Sequence, residues 1–282
     1  MPGLGAPATE EGGVGFDYRL AMGVTETWTR LVARTRDEDW SMGGLWHALT
    51  DHRADERAIG YAECHDQAMV GGKTLFFEMA GADIYDKMDV QSSSLAIDRA
   101  VALHKTIRLA TLATADAGYL TFMGNEFGHP EWIDFPREGN GRSYEHARRQ
   151  WSLRDDPGLR FKGLGDFDAA MTALFGQTLA GTEPRLLAAD ELGKVLAFLR
   201  GEWLVILNFH SSESHADYVV HVPPGAYELA LDTDRAEFGG QGRVVPGQRY
   251  VPLLETVGDE RVPSIRVYVP ARSGLVLRRL LK

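Results

Sequence analysis

Apolar residues in the first half of the chain come in short runs that each end abruptly in polar ones. Tyr18 to Met22 reads as a strand, and Trp28, Leu31 and Val32 follow at helical spacing. Ala58 to Ala62 is a second short run, closed by Glu63, Cys64, His65 and Asp66. Ser92 to Ser94 can cap a later helix in which Ile97/Val101 and Leu103/Ile107 lie four residues apart. Tyr119 to Met123 is a third strand, and it too gives way to polar residues, Asn125 and Glu126. Strand alternating with helix is the rhythm of a parallel α/β architecture.

The pattern changes after a predicted helix around Phe167 to Leu174. From about Leu187 the chain reads as strands: Val195–Leu199, Leu204–Asn208, Tyr218–Val222, Tyr227–Leu231, Ile265–Val269 and Leu275–Leu277. Turn signals separate them at Arg200-Gly201, Pro223-Pro224-Gly225, Gly239-Gly240 and Ser273-Gly274. Repeated short strands with Gly and Pro turns predict an antiparallel β-sandwich of about a hundred residues. The expected fold class is therefore α/β plus all-β. The change of pattern between Leu179 and Leu187, punctuated by Gly181 and Pro184, sets expected domains at 1–183 and 184–282.

Composition narrows the function classes. The chain has 282 residues, 44% hydrophobic and 25% charged, with a formal net charge of −10. Such a balance gives no electrostatic reason to seek nucleic acid or anionic lipid, which require clustered Lys and Arg. A neutral polymer is compatible with it. A single cysteine, Cys64, excludes an intrachain disulfide and favours a reducing compartment, so a cytoplasmic location is expected. The opening residues lack the basic and apolar regions of a signal peptide, and the apolar stretch at Trp203 to Phe209 is far too short to cross a membrane. No histidine pair has metal-ligand spacing, and Gly12-Gly13-Val14-Gly15 lacks the Lys-Ser/Thr of a phosphate loop, so neither metal nor cofactor is expected. His104, inside an apolar helical stretch, is expected to be structural.

In a parallel barrel, polar residues at the C-terminal ends of strands face the active site. Glu63, His65, Asp66, Asn125 and Glu126 all occupy such positions. Residue type and spacing alone leave Asp66 open as either a turn cap or a functional carboxylate, and His65 as either a structural or a substrate-facing imidazole.

The strings themselves are more specific. Gly60-Tyr61-Ala62-Glu63-Cys64-His65-Asp66-Gln67 and the long run from Phe122 through Gly124-Asn125-Glu126-Phe127-Gly128-His129-Pro130-Glu131-Trp132 to Asn140 resemble signatures of the 1,4-α-glucan branching enzymes of eukaryotic type, within glycoside hydrolase family 13. Glu11-Gly12-Gly13, Gly15 to Met22, Ala147 to Trp151, Asn208-Phe209-His210 and Glu237-Phe238-Gly239-Gly240 match as well, so the resemblance covers nearly the whole chain. Departures are Gly60 and Cys64 for the usual Ala and Ser, Arg142 for Trp, and Glu145-His146 for His-Tyr. The last of these lie in a loop with Ser143 and Tyr144, so glucan contacts there do not follow from the resemblance.

The resemblance implies that the three strand ends are the last three βα units of a (β/α)8 barrel, followed by the C-terminal sandwich. It implies Asp66 as the transition-state-stabilising carboxylate, and His65 as the hydrogen bonder to a substrate hydroxyl. Glu63, Asn125 and Glu126 would bind substrate at the rim, Trp132 would offer a flat face to a glucose ring, and Tyr18 and Arg19 would line the pocket. It implies an α-glucan as partner, and glycogen biosynthesis by cleavage of an α-1,4 link and transfer to a 6-hydroxyl. It also implies that the nucleophile and the acid/base precede Met1. The 282 residues alone are then expected not to branch glucan, and the barrel part to need a complementing N-terminal chain. The competing expectation is a non-catalytic glucan-binding remnant that uses Trp203 and Tyr227.

Overall fold

Three short strands form a parallel sheet in sequence order: β1 (Arg19–Leu20), β2 (Ala58–Gly60) and β3 (Gly118–Tyr119). Arg19 is opposite Ala58, and Ile59 is opposite Gly118. The structure, a computed structural model, describes residues 15–53, 56–69, 71–176 and 181–280. The Glu11-Gly12-Gly13 motif, Val14, Met1 and Leu179 at the expected boundary lie outside the described residues. Helices α1 (Met22–Arg34) and α2 (Met42–Thr50) join β1 to β2. The short α3 (His65–Ala68), α4 (Leu75–Ala80) and the 20-residue α5 (Leu95–Thr114) join β2 to β3. After β3 come α6 (Trp151–Asp155) and α7 (Arg160–Phe175). Each strand is shorter than its apolar run, because Met22 already starts a helix and the chain beyond Tyr119 turns toward Gly124.

Helix α5 organises this half. Ser94 caps it, its hydroxyl accepting the Ile97 N–H at 3.2 Å. From Ile97 onward almost every side chain is buried, including both apolar pairs read from the sequence. One face packs on α4 and α7 and another on the sandwich. A helix buried on all sides carries no single apolar stripe, so the polar residues on it, His104, Lys105 and Arg108, are its informative exceptions.

The second half is a two-sheet antiparallel sandwich. One sheet has six strands in the order β4 (Arg185–Asp190), β5 (Val195–Arg200), β6 (Trp203–Asn208), β12 (Ser273–Leu280), β8 (Ala226–Asp232) and β9 (Arg249–Tyr250). The other has three, β10 (Leu253–Val257), β11 (Glu260–Val269) and β7 (His215–His221). Strands β5 and β6 are buried throughout. Val195, Ala197, Leu204 and Ile206 face the small sheet, whereas Leu196, Phe198, Val205 and Leu207 share a core with the helices. Burial on both faces is why these strands read as unbroken apolar runs.

The two halves are stitched by polar contacts as well as by this common core. Trp28, Trp40 and Phe209 form an aromatic cluster with ring centroids 5.6–6.2 Å apart. Glu191 of the sandwich accepts the Met42 and Gly43 N–H groups at the start of α2, the terminus where a carboxylate is favoured. Arg200 is buried and donates from Nη1 to the Ala113 and Ala115 carbonyls at the end of α5, satisfying acceptors the helix cannot. Asp37 is gripped by Arg99 of α5 at 2.6 Å and by Arg272, just before β12, at 2.6 Å.

Burial pushes the Asp37 carboxyl up, but hydrogen bonds and charge from Arg99 and Arg272 outweigh it, and its pKa is lowered from 3.8. Stabilisation by this group is therefore complete above 3.8 and is lost as pH falls through the lower folded value. Asp37→Asn is expected to cost about 1–3 kcal/mol at pH 7. Urea midpoints of the two proteins should converge as pH drops toward 3; a gap that stays constant would contradict the assignment.

Candidate functional site

The site is built where β2 and β3 end. Beyond β2 the backbone turns straight into α3, whose first residues are His65 and Asp66. A capping box fixes that turn, with the Cys64 N–H donating to Gln67 Oε1 at 3.0 Å. Asp66 and His65 are both exposed, with Asp66 Oδ1 3.1 Å from His65 Nε2 and Asp66 Oδ2 3.8 Å from Cys64 Sγ. The His65 ring lies 6.1 Å from Phe122, which follows β3. The segment after β3 therefore supports the one after β2.

Beneath this pair lies a buried polar network centred on Arg108. Its Nη2 donates to Glu63 Oε1 at 2.8 Å and to the Asn125 carbonyl at 2.7 Å. Its Nη1 reaches Thr121 Oγ1 at 3.1 Å and Tyr119 Oη at 3.3 Å, and its Nε donates to His104 Nε2 at 2.8 Å. The second Glu63 oxygen accepts the Leu75 N–H at 2.7 Å. Burial opposes the guanidinium charge, yet Tyr119 and the Glu63 carboxylate hold its pKa above the usual arginine value. Burial and the neighbouring Arg108 charge hold the His104 pKa well below the usual histidine value, and its Nε2 also lies 3.0 Å from the Glu126 carbonyl. His104 is thus structural, packed edge-on against Phe76 at 5.3 Å.

Asn125 is the second hinge of the network. Its Nδ2 donates to the Cys64 carbonyl at 3.4 Å, and its Oδ1 accepts from Arg149 Nη2 at 3.2 Å. Arg149 also donates from Nε to the Met123 carbonyl and from Nη1 to the Glu131 carbonyl. The turn at Gly124 has φ of +90°, and a Cβ there would stand 2.6 Å from Arg149 Nε, so glycine is required on both counts. Beyond it, Ile133 bridges to Met69 and donates its N–H to the Ala68 carbonyl, which ties the segment that carries Trp132 to the end of α3.

The expected site residues therefore sort into two layers. Asp66, His65 and Trp132 are open to solvent, Trp132 with its ring 5.8 Å from His146 and tilted by 31°. Glu63 and Asn125, expected to bind substrate, are both buried and bonded to protein partners. Glu126 is half-buried, and burial raises its pKa. Tyr18 is exposed beneath the Arg57 guanidinium, and Arg19 is paired with Glu56 at 2.6 Å. Arg108 and Arg149 were not foreseen. The signal for Arg108 was present, a charge four residues from His104 within an otherwise apolar helix.

Trp203 and Tyr227 are buried core residues of β6 and β8, which removes them as ligand platforms. Among the described residues no group of His, Cys, Asp and Glu is placed to hold a metal ion, and no helix is long and apolar enough to cross a membrane.

Residues 187–279 match the family model described as the α-amylase C-terminal all-β domain. The 1,4-α-glucan-branching enzyme of Yarrowia lipolytica is 45% identical over 99% of this chain, and that of Felis catus 46% over 99%. The enzyme of the same description from Solanum tuberosum is 47% identical over 86%. The chain spans only 41%, 40% and 29% of those proteins, respectively. Among solved structures, an α-amylase from Geobacillus thermoleovorans complexed with acarbose aligns over 95% of this chain and 49% of its own, with a TM-score of 0.57 and 14% identity. That likeness is one of fold: βα units of a barrel followed by an antiparallel β-domain. Along nearly its whole length, then, the chain is a homologue of the C-terminal part of the 1,4-α-glucan-branching enzymes.

Proposed function

We propose that these residues supply one half of the active site of a branching enzyme that cleaves an α-1,4 glucan and transfers the piece to a 6-hydroxyl, in glycogen biosynthesis. The observation that carries this reading is the exposed His65–Asp66 pair, presented at the end of the central parallel strand by a buried Arg108–Glu63 network. A carboxylate held in place beside the reacting sugar stabilises an oxocarbenium-like transition state, because it meets charge that develops only there. In this reading Asp66 is that group, His65 bonds a sugar hydroxyl, Trp132 lies under a glucose ring and Glu126 sits at the rim. Glu63 and Asn125 position the two loops.

Glycosyl transfer with retention needs two further carboxyl groups, a nucleophile and an acid/base, about 5–5.5 Å apart. We assign these to the part of the branching-enzyme length that this chain does not span. Among the described residues one edge of β1 is unpaired, and Phe16, Tyr18 and Leu20 around it are exposed, which supports that assignment, since a further part of a barrel would cover them. Residues 1–183 would then complete a barrel, and 184–282 its C-terminal β-domain. The free, buried Cys64 fits a reducing compartment, and we place the activity in the cytoplasm.

Fusing this chain to the N-terminal remainder of the Yarrowia lipolytica relative, in place of the matched segment, tests the reading. The chimera is expected to form α-1,6 branches in amylose, and the 282-residue chain alone to form none. A folded chimera that forms no branches, beside an active parent, would overturn it.

A further inference from the structure

A second cleft lies between α5 and the sandwich. A cleft of about 950 Å³ opens between the first half of α5, the loop after β6, the turns after β8 and the residues before β12. It is independent of the catalytic reading. Five cationic side chains line it, Arg99, Lys105, Arg160, Arg243 and Arg272, against the carboxylates of Asp98 and Asp234. Asp37 behind Arg99 and Arg272, and Asp232 near Lys105, offset part of this charge.

The donors there are only partly spent. Lys105 is 1% exposed and uses one of its three N–H groups, on the Phe238 carbonyl at 2.8 Å. Burial lowers its pKa to about 8, a penalty on the ammonium that a bound anion would relieve. Arg99 and Arg272 share one carboxylate, Asp37, so the pair keeps an excess of positive charge. Arg243 spends Nε and Nη2 on Asp234. Among the described residues the Nη1 groups of all three make no hydrogen bond. Arg272 sits at φ of +49°, a conformation that costs a non-glycine residue about 1–2 kcal/mol.

We propose that this cleft binds a small phosphate ester of a polyol, with the phosphate on Lys105 and the Arg99–Arg272 pair. Phosphate is matched by several N–H donors of charged groups converging on one centre. The volume is that of a drug-sized ligand, more than inorganic phosphate alone would fill. Ser212 and Gln241 line the rest and suit hydroxyls, beside Ser211, which bonds the Glu38 carboxylate, and Asp98, which is paired with Arg160. No aromatic ring lines the cleft, so a neutral glucan chain would find no face to stack on.

Calorimetric titration of the full chain with glucose 6-phosphate, at fixed ionic strength, tests this. Saturable binding is expected, about tenfold weaker for inorganic phosphate and absent for glucose. Ser212→Asp puts a negative charge on an exposed residue of the rim and should abolish binding without touching the core. Lys105→Met should weaken it about tenfold or more, by loss of a charge-assisted bond. Absence of saturable binding, equal binding of glucose or of inorganic phosphate, or unchanged affinity in the Ser212→Asp protein would each overturn the proposal. The last holds even where the Lys105 variant fails to fold.

Discussion

Replacing Arg108 with methionine is expected to destabilise the chain by about 3–5 kcal/mol, a large part of the roughly 5–15 kcal/mol available to a domain. The side chain is 2% exposed, and its partner Glu63 is fully buried. Methionine fills similar space, so packing is largely kept, but Glu63 loses its bonded counter-charge and keeps the Leu75 N–H and the more distant charge of Arg149. The Asn125 carbonyl and the Tyr119 hydroxyl lose a donor in the same step. A buried carboxylate left without its bonded partner is the dominant cost, since burial already raises the Glu63 pKa and desolvating a charge outweighs the loss of any single neutral hydrogen bond. It follows that the double variant Arg108→Met/Glu63→Gln should recover more than half of the loss. The deficit of the single variant should also shrink at low pH, where an unpaired buried carboxyl takes up a proton. Urea unfolding followed by tryptophan fluorescence measures all three. A single-variant loss below about 1 kcal/mol, or a double variant no more stable than the single, would show that the network is not held by this charge pair.

This network also marks where sequence reasoning stopped. The strand ends were legible, because an apolar run breaking into Glu63-Cys64-His65-Asp66 or into Asn125-Glu126 has no other simple meaning in a strand–helix alternation. Which of those polar residues face outward was not legible. Glu63 and Asp66 are three residues apart and chemically alike, yet one points under the loop and the other out of it. That difference is set by Arg108, 45 residues further on, and by the capping box at Cys64. Helix α2 escaped notice for a related reason. It contains Gly43-Gly44, poor helix formers, and is held instead by Ser41 and by Glu191 from the distant sandwich. The edge strand β10 was missed because an exposed edge carries little alternation, with Leu253, Leu254, Thr256 and Val257 all exposed, and β9 because it is only two residues long. By contrast β5, β6 and the long α5 were plain, being buried on nearly every side and rich in apolar residues. The family resemblance rested on strings rather than on pattern, and periodicity alone would have led to a barrel-like sheet and a sandwich with no chemistry attached.

Asp66→Asn in the active chimera is expected to lower kcat by about a thousandfold or more, with thermal stability unchanged within about 0.5 kcal/mol. The two halves of this expectation rest on separate observations. Stability is spared because Asp66 is 68% exposed in its side chain and bonds only weakly, to His65 and to the Cys64 thiol. The fold of its loop is held by groups that the substitution leaves alone: Gln67, Glu63, Arg108 and Asn125. Activity falls because an amide keeps the shape but removes the negative charge, and that charge is what the developing oxocarbenium ion meets. A group that acts only on the transition state lowers kcat with little change in KM, whereas a group that merely binds glucan raises KM. His65→Ala supplies the contrast. Its ring contacts Phe122 and bonds a ground-state hydroxyl in the proposed site, so a rise in KM with a smaller fall in kcat is expected. Circular dichroism and melting curves establish that both variants fold, after which the kcat-against-KM split decides. An Asp66→Asn chimera that keeps more than a tenth of parental kcat would leave Asp66 as a turn residue, and the active site would have to be sought elsewhere.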